Sequence, residues 1–381
     1  MLSRSSFAPT TAARRRIVFR KVHVDAWTAD GRSGPFNDDA SGGGGADVGD
    51  ELAVNVASVP LFHNFQSFHP SKSFNGAVFR MSFSTDTVAI TGVSAVRRLA
   101  DFVELTKPRI VLMVLVTAFV GFYIGSEKIP DYLRLLQMLL GTALAAGGTL
   151  ALNQYLERDT DVKMERTRHR PLPDGRVQPR EAVWFGTAIT IAGLAYLALA
   201  VNIESAWVTA LITLSYLLCY TPMKRRSSLC MLVGAVPGAL PPVIGWVAAR
   251  GSLQVDAWVL FAIMFLWQVP HTLAIARLYR DDFAKAGIQF LPVIEPDGAS
   301  TNRQVISHCA ALLAVSLLPT LLGFAGAIYF AAAFVLGIGF LASGIGLAME
   351  STTHGARRLL FASLIYLPVL LLMMALDRVP L

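Results

Sequence analysis

Charge is scarce in this sequence. Asp, Glu, Lys and Arg make up 15% of its 381 residues, against about 25% in an ordinary soluble domain. Apolar residues reach 54%, and mean hydropathy is +0.52. A soluble globular chain of this length is excluded, and the composition specifies a membrane protein. Cysteine is scarce too. Cys219, Cys230 and Cys309 show no C-x-x-C or zinc-ligand spacing. They lie inside apolar runs, where cysteine behaves as a small hydrophobe, so they are assigned no chemistry. Acid is missing altogether from the first 24 residues, "MLSRSSFAPTTAARRRIVFRKVHV", which carry Arg and Lys in the manner of a mitochondrial transit peptide. The alternative is an upstream extension absent from the working protein, with Met81 beginning a compact chain. The stretch from residue 1 to about 95 holds the linker-like "SGGGGADVGDE" (41–51) and lacks any periodic segment long enough for a core. The chain therefore divides into a disordered N-terminal extension, 1–95, and a transmembrane domain, 96–381.

What the second part does have is long apolar runs. Nine reach the length of about 20 residues that crosses a hydrocarbon core: 110–125, 135–156, 182–202, 206–222, 230–249, 255–276, 304–325, 326–347 and 359–376. The break between the seventh and eighth rests on "GFAGA" (323–327). The expected fold is all-α, a polytopic bundle of nine transmembrane helices. Basic residues cluster in the even-numbered connections. Arg158, Lys163, Arg166, Arg168, Arg170, Arg176 and Arg180 follow the second run, and Lys224, Arg225 and Arg226 the fourth. The sixth is followed by Arg277, Arg280, Lys285 and Arg303, and the eighth by Arg357 and Arg358. The other side has only Lys128, Arg134, Arg250 and Arg378. Positive charge accumulates on the side from which spans insert, so these loops, with Lys107 and Arg109, are expected on the cytoplasmic or matrix face. The net charge of +7 follows from topology and anionic headgroups, and no nucleic-acid partner is needed.

Directly behind the second apolar run stands "NQYLERDTDVKMERTRHRPLP" (153–173). Residues four apart share a helix face, so Asn153, Glu157 and Asp161 form a line from which Asp159 turns away. One amide and two carboxylates are hard oxygen ligands of the kind Mg²⁺ prefers when it also holds a phosphate. Arg166, Arg168 and Arg170 follow, with guanidinium forks suited to phosphate oxygens. The bland alternative, a solvated loop that only fixes topology, has to explain why polar groups stand at the membrane boundary, where they are costly. A second polar group, "FLWQVPHTLAIARLYRDDFAKAG" (265–287), places Gln268 and His271 inside an apolar run and Asp281 and Asp282 just past it on the same side. Pro270 should bend that span beside His271, with Gln268 and His271 sharing a face. "LVGAVPGALPPVIGW" (232–246) carries backbone breaks that a membrane tolerates only where protein or water satisfies them, so it is expected to line a cavity. "YTPMKRR" (220–226) adds Lys224 and Arg225 on the charged side.

Together, "TKPRI" (106–110), the block 153–173, "YTPMKR" (220–225), "GALPPVIGW" (238–246), "WQVPH" (267–271) and "DDFAKAGIQFLPV" (281–293) resemble the UbiA-type intramembrane prenyltransferases, in particular the branch that farnesylates haem. The resemblance runs in order over about residues 100–376. It implies transfer of a farnesyl group from farnesyl diphosphate to a vinyl group of haem B, giving haem O and diphosphate for terminal oxidases. It also implies Mg²⁺ as cofactor, with Asn153, Glu157 and Asp161 matching the first acidic motif and Asp281 and Asp282 the second. The superfamily usually shows D-x-x-x-D at the second site, whereas four residues after Asp282 this chain has Ala286, which leaves that ligand set open. Lys107, Arg109, Arg166, Arg168, Arg170, Lys224 and Arg225 would neutralise the departing diphosphate. Trp267, Gln268 and His271 would stand near the porphyrin, His271 as an axial ligand or a proton acceptor. Expected partners are the two substrates and the bilayer, with a haem A synthase or oxidase assembly left open. Two other functions are weighed: a prenyltransferase acting on an aromatic acid such as 4-hydroxybenzoate, which shares the diphosphate site, and a transporter or proton channel. A transporter has no need of so many cations beside a carboxylate ladder. The form of the first motif favours a bacterial plasma membrane, with the mitochondrial inner membrane as the alternative.

Overall fold

The structure, a computed structural model, describes residues 87–127, 129–295, 297–350 and 352–379. The chain divides at Phe79/Arg80, and the acid-free leader, the glycine linker and Met81 all lie outside the described residues. A helix α1, Thr87–Leu105, comes first, starting ahead of the boundary drawn after residue 95. Nine spans follow among the described residues: α2 (Pro108–Gly125), α3 (Tyr132–Asp161), α4 (Pro179–Ala200), α5 (Ile203–Met223), α6 (Cys230–Arg250), α7 (Val255–Leu278), α8 (Ala299–Leu321), α9 (Ala327–Glu350) and α10 (Thr353–Leu376). The break at "GFAGA" stands, since α8 ends at Leu321 and α9 begins at Ala327.

Local chemistry sets the ends. Asp131 caps α3 by accepting the Arg134 N–H at 3.0 Å. Gln178 and Glu181 form a reciprocal cap ahead of α4, and Asn202 accepts from the Ser205 N–H at 2.9 Å at the head of α5. These side chains satisfy donors that the first turn leaves open. With 30 residues, α3 is about 45 Å long at 1.5 Å per residue, well beyond a hydrocarbon core of about 30 Å. Its last turns, from Asn153 to Asp161, therefore stand clear of the apolar layer while remaining on a rigid helix.

Consecutive spans pack on one another, and α10 returns to α2 and α7. The helix most enclosed by the others is α6, 78% buried over its apolar window. It breaks at Leu240, between Cys230–Ala239 and Pro241–Arg250, because Pro241 and Pro242 supply no N–H to the preceding turn. Its second half lies so close to α2 that a Cβ on Gly121 would run into the Pro242 carbonyl, and one on Gly245 into that of Ala118. Those two glycines bring the α6 break against α2.

Candidate active site

The ladder at the end of α3 forms as its spacing requires. Asn153 is fully buried; its Oδ1 accepts from Lys107 Nζ at 3.0 Å, and its Nδ2 donates to Thr221 Oγ1 at 3.1 Å. One turn on, Glu157 Oε1 meets Lys224 Nζ at 2.6 Å. One further turn on, Asp161 is 1% exposed; its Oδ2 accepts from Arg170 at 2.7 Å. Its other oxygen, Oδ1, is buried with no hydrogen-bond partner. A carboxylate oxygen withdrawn from water without a donor is costly, and it marks the place where a cation fits.

Backbone geometry supports the arrangement. Lys107, between α1 and α2, has φ 50° and is the one non-glycine residue with positive φ among those described. The proline after it disfavours the right-handed helical region, so the left-handed bend turns its ammonium toward Asn153. Such strain persists where surrounding structure over-determines it. Within α5, Ser215–Tyr220 forms a π-helical turn, and Thr221 donates to the Tyr216 carbonyl at 2.8 Å. That extra residue in the turn aims Thr221 at Asn153 and swings Tyr216 and Tyr220 inward, in keeping with the use of π-turns at sites.

Burial lowers the Lys107 pKa to about 7, with Arg170 and Lys224 adding repulsion against the partial support of Glu157 and Asp161. Burial also opposes protonation of Lys224, but the nearby Tyr220 and Glu157 outweigh it and hold that ammonium above its ordinary value. The Lys224 ammonium sits 4.4 Å from the Tyr220 ring centre. A cluster in which cations repel one another this strongly is receptive to an anion.

Below the ladder lie two joined spaces. A chamber of about 180 Å³ is lined by Arg166, Lys224, Thr272 and Phe283. A mostly apolar shaft of about 260 Å³ runs on past Tyr216, Thr149, Thr142 and Ile244. Tyr220, Gly234 and Gln268 line both and form the junction. As the prolines and glycines of "LVGAVPGALPPVIGW" suggested, Gly234, Pro237, Gly238 and Pro241 wall the shaft.

Not every expected residue joins the ladder. Arg166 reaches the chamber, lying over Tyr279 and Phe283. Arg168 instead pairs with Glu165 at the surface, Arg109 is exposed on the first turn of α2, and Arg225 is exposed beyond Lys224. The five-residue metal set is not gathered as expected: Asp282 Oδ1 accepts the Glu165 N–H at 3.1 Å and so braces the loop after α3, while Asp281 is exposed. Among the described residues no three His, Cys, Asp or Glu side chains stand together as a metal group, so the ladder contributes two carboxylates and an amide.

The expectation that Gln268 and His271 share a face is corrected. Gln268 lines the cavity, with its Oε1 buried and unpartnered, whereas His271 pairs with Trp267. The two rings stack at 4.7 Å and turn toward α10, where Trp267 donates to the Ser363 carbonyl at 2.9 Å and His271 Nδ1 lies 2.8 Å from Ser363 Oγ. Because the Ser363 hydroxyl already donates to the Leu360 carbonyl at 2.6 Å, Nδ1 carries the proton and Nε2 the lone pair. The shift follows from Ser363 on α10, which holds both Trp267 and His271. Sequence reasoning missed Tyr216, Tyr220 and Thr221 as site residues, although two tyrosines four apart inside an apolar run were a signal.

A model of the UbiA prenyltransferase family matches residues 114–376. The chain is 49% identical to a protein named protoheme IX farnesyltransferase from Solibacter usitatus (strain Ellin6076), over 73% of this chain and 98% of that protein. It is 42% identical to one of the same name from Koribacter versatilis (strain Ellin345), over 78% and 99%. Among solved structures, a digeranylgeranylglyceryl phosphate synthase aligns over 74% of this chain and 98% of its own with a TM-score of 0.65 at 19% identity. A UbiA homologue from Archaeoglobus fulgidus, bound to DMAPP and Mg²⁺, aligns over 72% and 99% with a TM-score of 0.53 at 16% identity.

Proposed function

This chain belongs to the UbiA prenyltransferase family, and on that premise we propose that it transfers the farnesyl group of farnesyl diphosphate to a vinyl group of haem B, producing haem O and diphosphate. The observation that carries the reading is the unpartnered Asp161 Oδ1 beside Glu157 and Asn153, ringed by Lys107, Lys224 and Arg170 above an apolar shaft. A relative of the same fold holds Mg²⁺ with a prenyl diphosphate, and the hard-oxygen ladder suits that ion. When bound, Mg²⁺ would neutralise diphosphate charge as a Lewis acid. Asn153, Glu157 and Asp161 would hold it.

The residues divide the work by position. Lys107, Lys224, Arg166 and Arg170 bind diphosphate oxygens and stabilise the negative charge that develops as the C1–O bond breaks and its electron pair leaves with the diphosphate. The farnesyl tail lies in the shaft, where the Tyr216 and Tyr220 ring faces favour allylic positive charge and the mostly apolar wall limits the access of water. The terminal carbon of the haem vinyl then bonds to C1, and water captures the cation left on the adjacent vinyl carbon, giving a hydroxyl. The departing diphosphate takes the proton that this water releases, since His271 is turned toward Ser363 on α10.

The nine apolar spans make the chain an integral membrane protein. Its basic loops and bacterial relatives support a bacterial plasma membrane with the site at the cytoplasmic face. The apolar product would pass within the bilayer to a haem A synthase or an oxidase assembly. Purified protein incubated with haem B, farnesyl diphosphate and Mg²⁺ should yield haem O by mass, and none in EDTA. Product with 4-hydroxybenzoate in place of haem, and none with haem, would overturn the assignment of acceptor.

A further inference from the structure

Beside the chamber and the shaft lies a third space, a groove of about 580 Å³ that the Glu157–Lys224 pair borders. Its floor is apolar, built from Leu156 and Leu217 with Leu218 and Ile288. Leu156 and Leu218 are 48% and 67% exposed, an open apolar surface at the membrane boundary. One end carries Arg225 and Arg226, both exposed just past the end of α5. The rim is fixed, because Gln289 N–H donates to the Lys224 carbonyl at 2.8 Å and so holds the segment bearing Ile288 against the basic turn.

We propose that this groove receives the haem acceptor, with Arg225 and Arg226 pairing its two propionates and the leucines covering its macrocycle. This rests on the acceptor being haem, as above. The match is one of chemistry and of level. Haem is a flat apolar disc with two carboxylates on one edge, and the groove is an apolar floor with two guanidiniums at one end. Arg225 and Arg226 stand just past the end of α5, whose last turns carry Leu217 and Leu218, so a disc on the leucines has its carboxylate edge toward the arginines. Carboxylate and guanidinium pair bidentately, and near the interface such pairs hold an amphiphile in one orientation. The vinyl-bearing edge then faces the wall formed by Glu157 and Lys224, which line this groove, with Lys224 also lining the inner chamber. When those two side chains turn to metal and diphosphate, the wall between acceptor and donor opens. Arg225 thus serves the acceptor, not the diphosphate as its sequence position suggested.

The test separates acceptor binding from turnover. Arg225→Gln/Arg226→Gln, both exposed positions, is compared with the unaltered protein in a haem titration followed by tryptophan fluorescence, using haem B and its dimethyl ester. Loss of two charge-assisted pairs should weaken haem B binding at least roughly tenfold, leave the ester unchanged and leave the farnesyl diphosphate KM within about twofold. Equal loss for haem B and ester, or no loss for either, overturns the inference. A loss reversed by adding anionic lipid vesicles also overturns it and identifies a headgroup site. A protein that binds haem B in this charge-dependent way yet makes no haem O would leave the groove standing and refute the reaction.

Discussion

Replacing Lys224 by Met strips Glu157 of its cation while keeping a side chain of similar length. Charges 2.6 Å apart attract by about 6 kcal/mol at an effective dielectric of 20. Side-chain exposures of 14% and 16% give water little room to replace the missing partner. Desolvation offsets much of the attraction, so the measurable quantity is an asymmetry. Removing one partner strands the other and should cost about 3 kcal/mol, whereas removing both should cost only about 1 kcal/mol. Glu157→Gln alone should cost less, about 1.5–2 kcal/mol, because Lys224 keeps the Tyr220 ring as a neighbour and a cation over a ring retains part of its stabilisation. The two single losses then exceed the double loss by about 3.5–4 kcal/mol, a strong coupling for one pair. Equilibrium unfolding of the four proteins in mixed micelles, free of substrate and metal, reads the cycle directly. Losses that simply add would refute the reasoning, since they would mean that the two side chains stand independently and do not form the wall between chamber and groove.

Other expectations follow from the same geometry. Mg²⁺ should raise the thermal unfolding midpoint in detergent, and Asp161→Asn should remove that rise, because the buried unpartnered oxygen is then no longer anionic; a variant that keeps the full Mg²⁺ response would show that the ion sits elsewhere. Thr142 lines the shaft eleven residues before Asn153 on α3, about 16 Å deeper. Thr142→Phe should therefore depress kcat/KM for farnesyl diphosphate about tenfold or more while sparing geranyl diphosphate, the loss of roughly 1.4 kcal/mol that a blocked tail position implies, as read in a two-substrate competition assay. Gly245→Ala forces a methyl into the Ala118 carbonyl and should cost about 1–3 kcal/mol by overpacking. Gly346→Ala, where a methyl meets nothing within 4 Å, should be neutral or stabilising by up to about 1 kcal/mol; unfolding of the two variants side by side distinguishes a packing effect from general sensitivity to alanine.

The parts of this molecule that were legible in sequence are those governed by short-range periodicity. Nine apolar runs became nine spans because hydrocarbon thickness fixes their length, and Asn153, Glu157 and Asp161 fell into line because helical spacing fixes a face. Polar residues whose partners come from another helix were less legible. Arg168 and Arg170 are two apart in sequence, yet one pairs with a surface Glu165 and the other with buried Asp161, since the turn after α3 points successive side chains in different directions. Gln268 and His271 parted because Ser363 on α10, nearly a hundred residues away, draws the imidazole off the cavity. The π-turn in α5 carries no compositional mark at all, yet it is what lets Thr221 reach Asn153 and both tyrosines reach the shaft. Chemistry that depends on which helix stands opposite is therefore written in packing, and here the packing puts the cations on two sides of one ion pair. Lys107, Lys224, Arg166 and Arg170 face inward around the ladder, while Arg225 and Arg226 face outward over the leucine floor. On the proposed reading, one basic cluster in the sequence becomes two anion sites in the fold. That is the arrangement required of an enzyme whose donor and acceptor are both anionic amphiphiles and must meet only at their apolar ends.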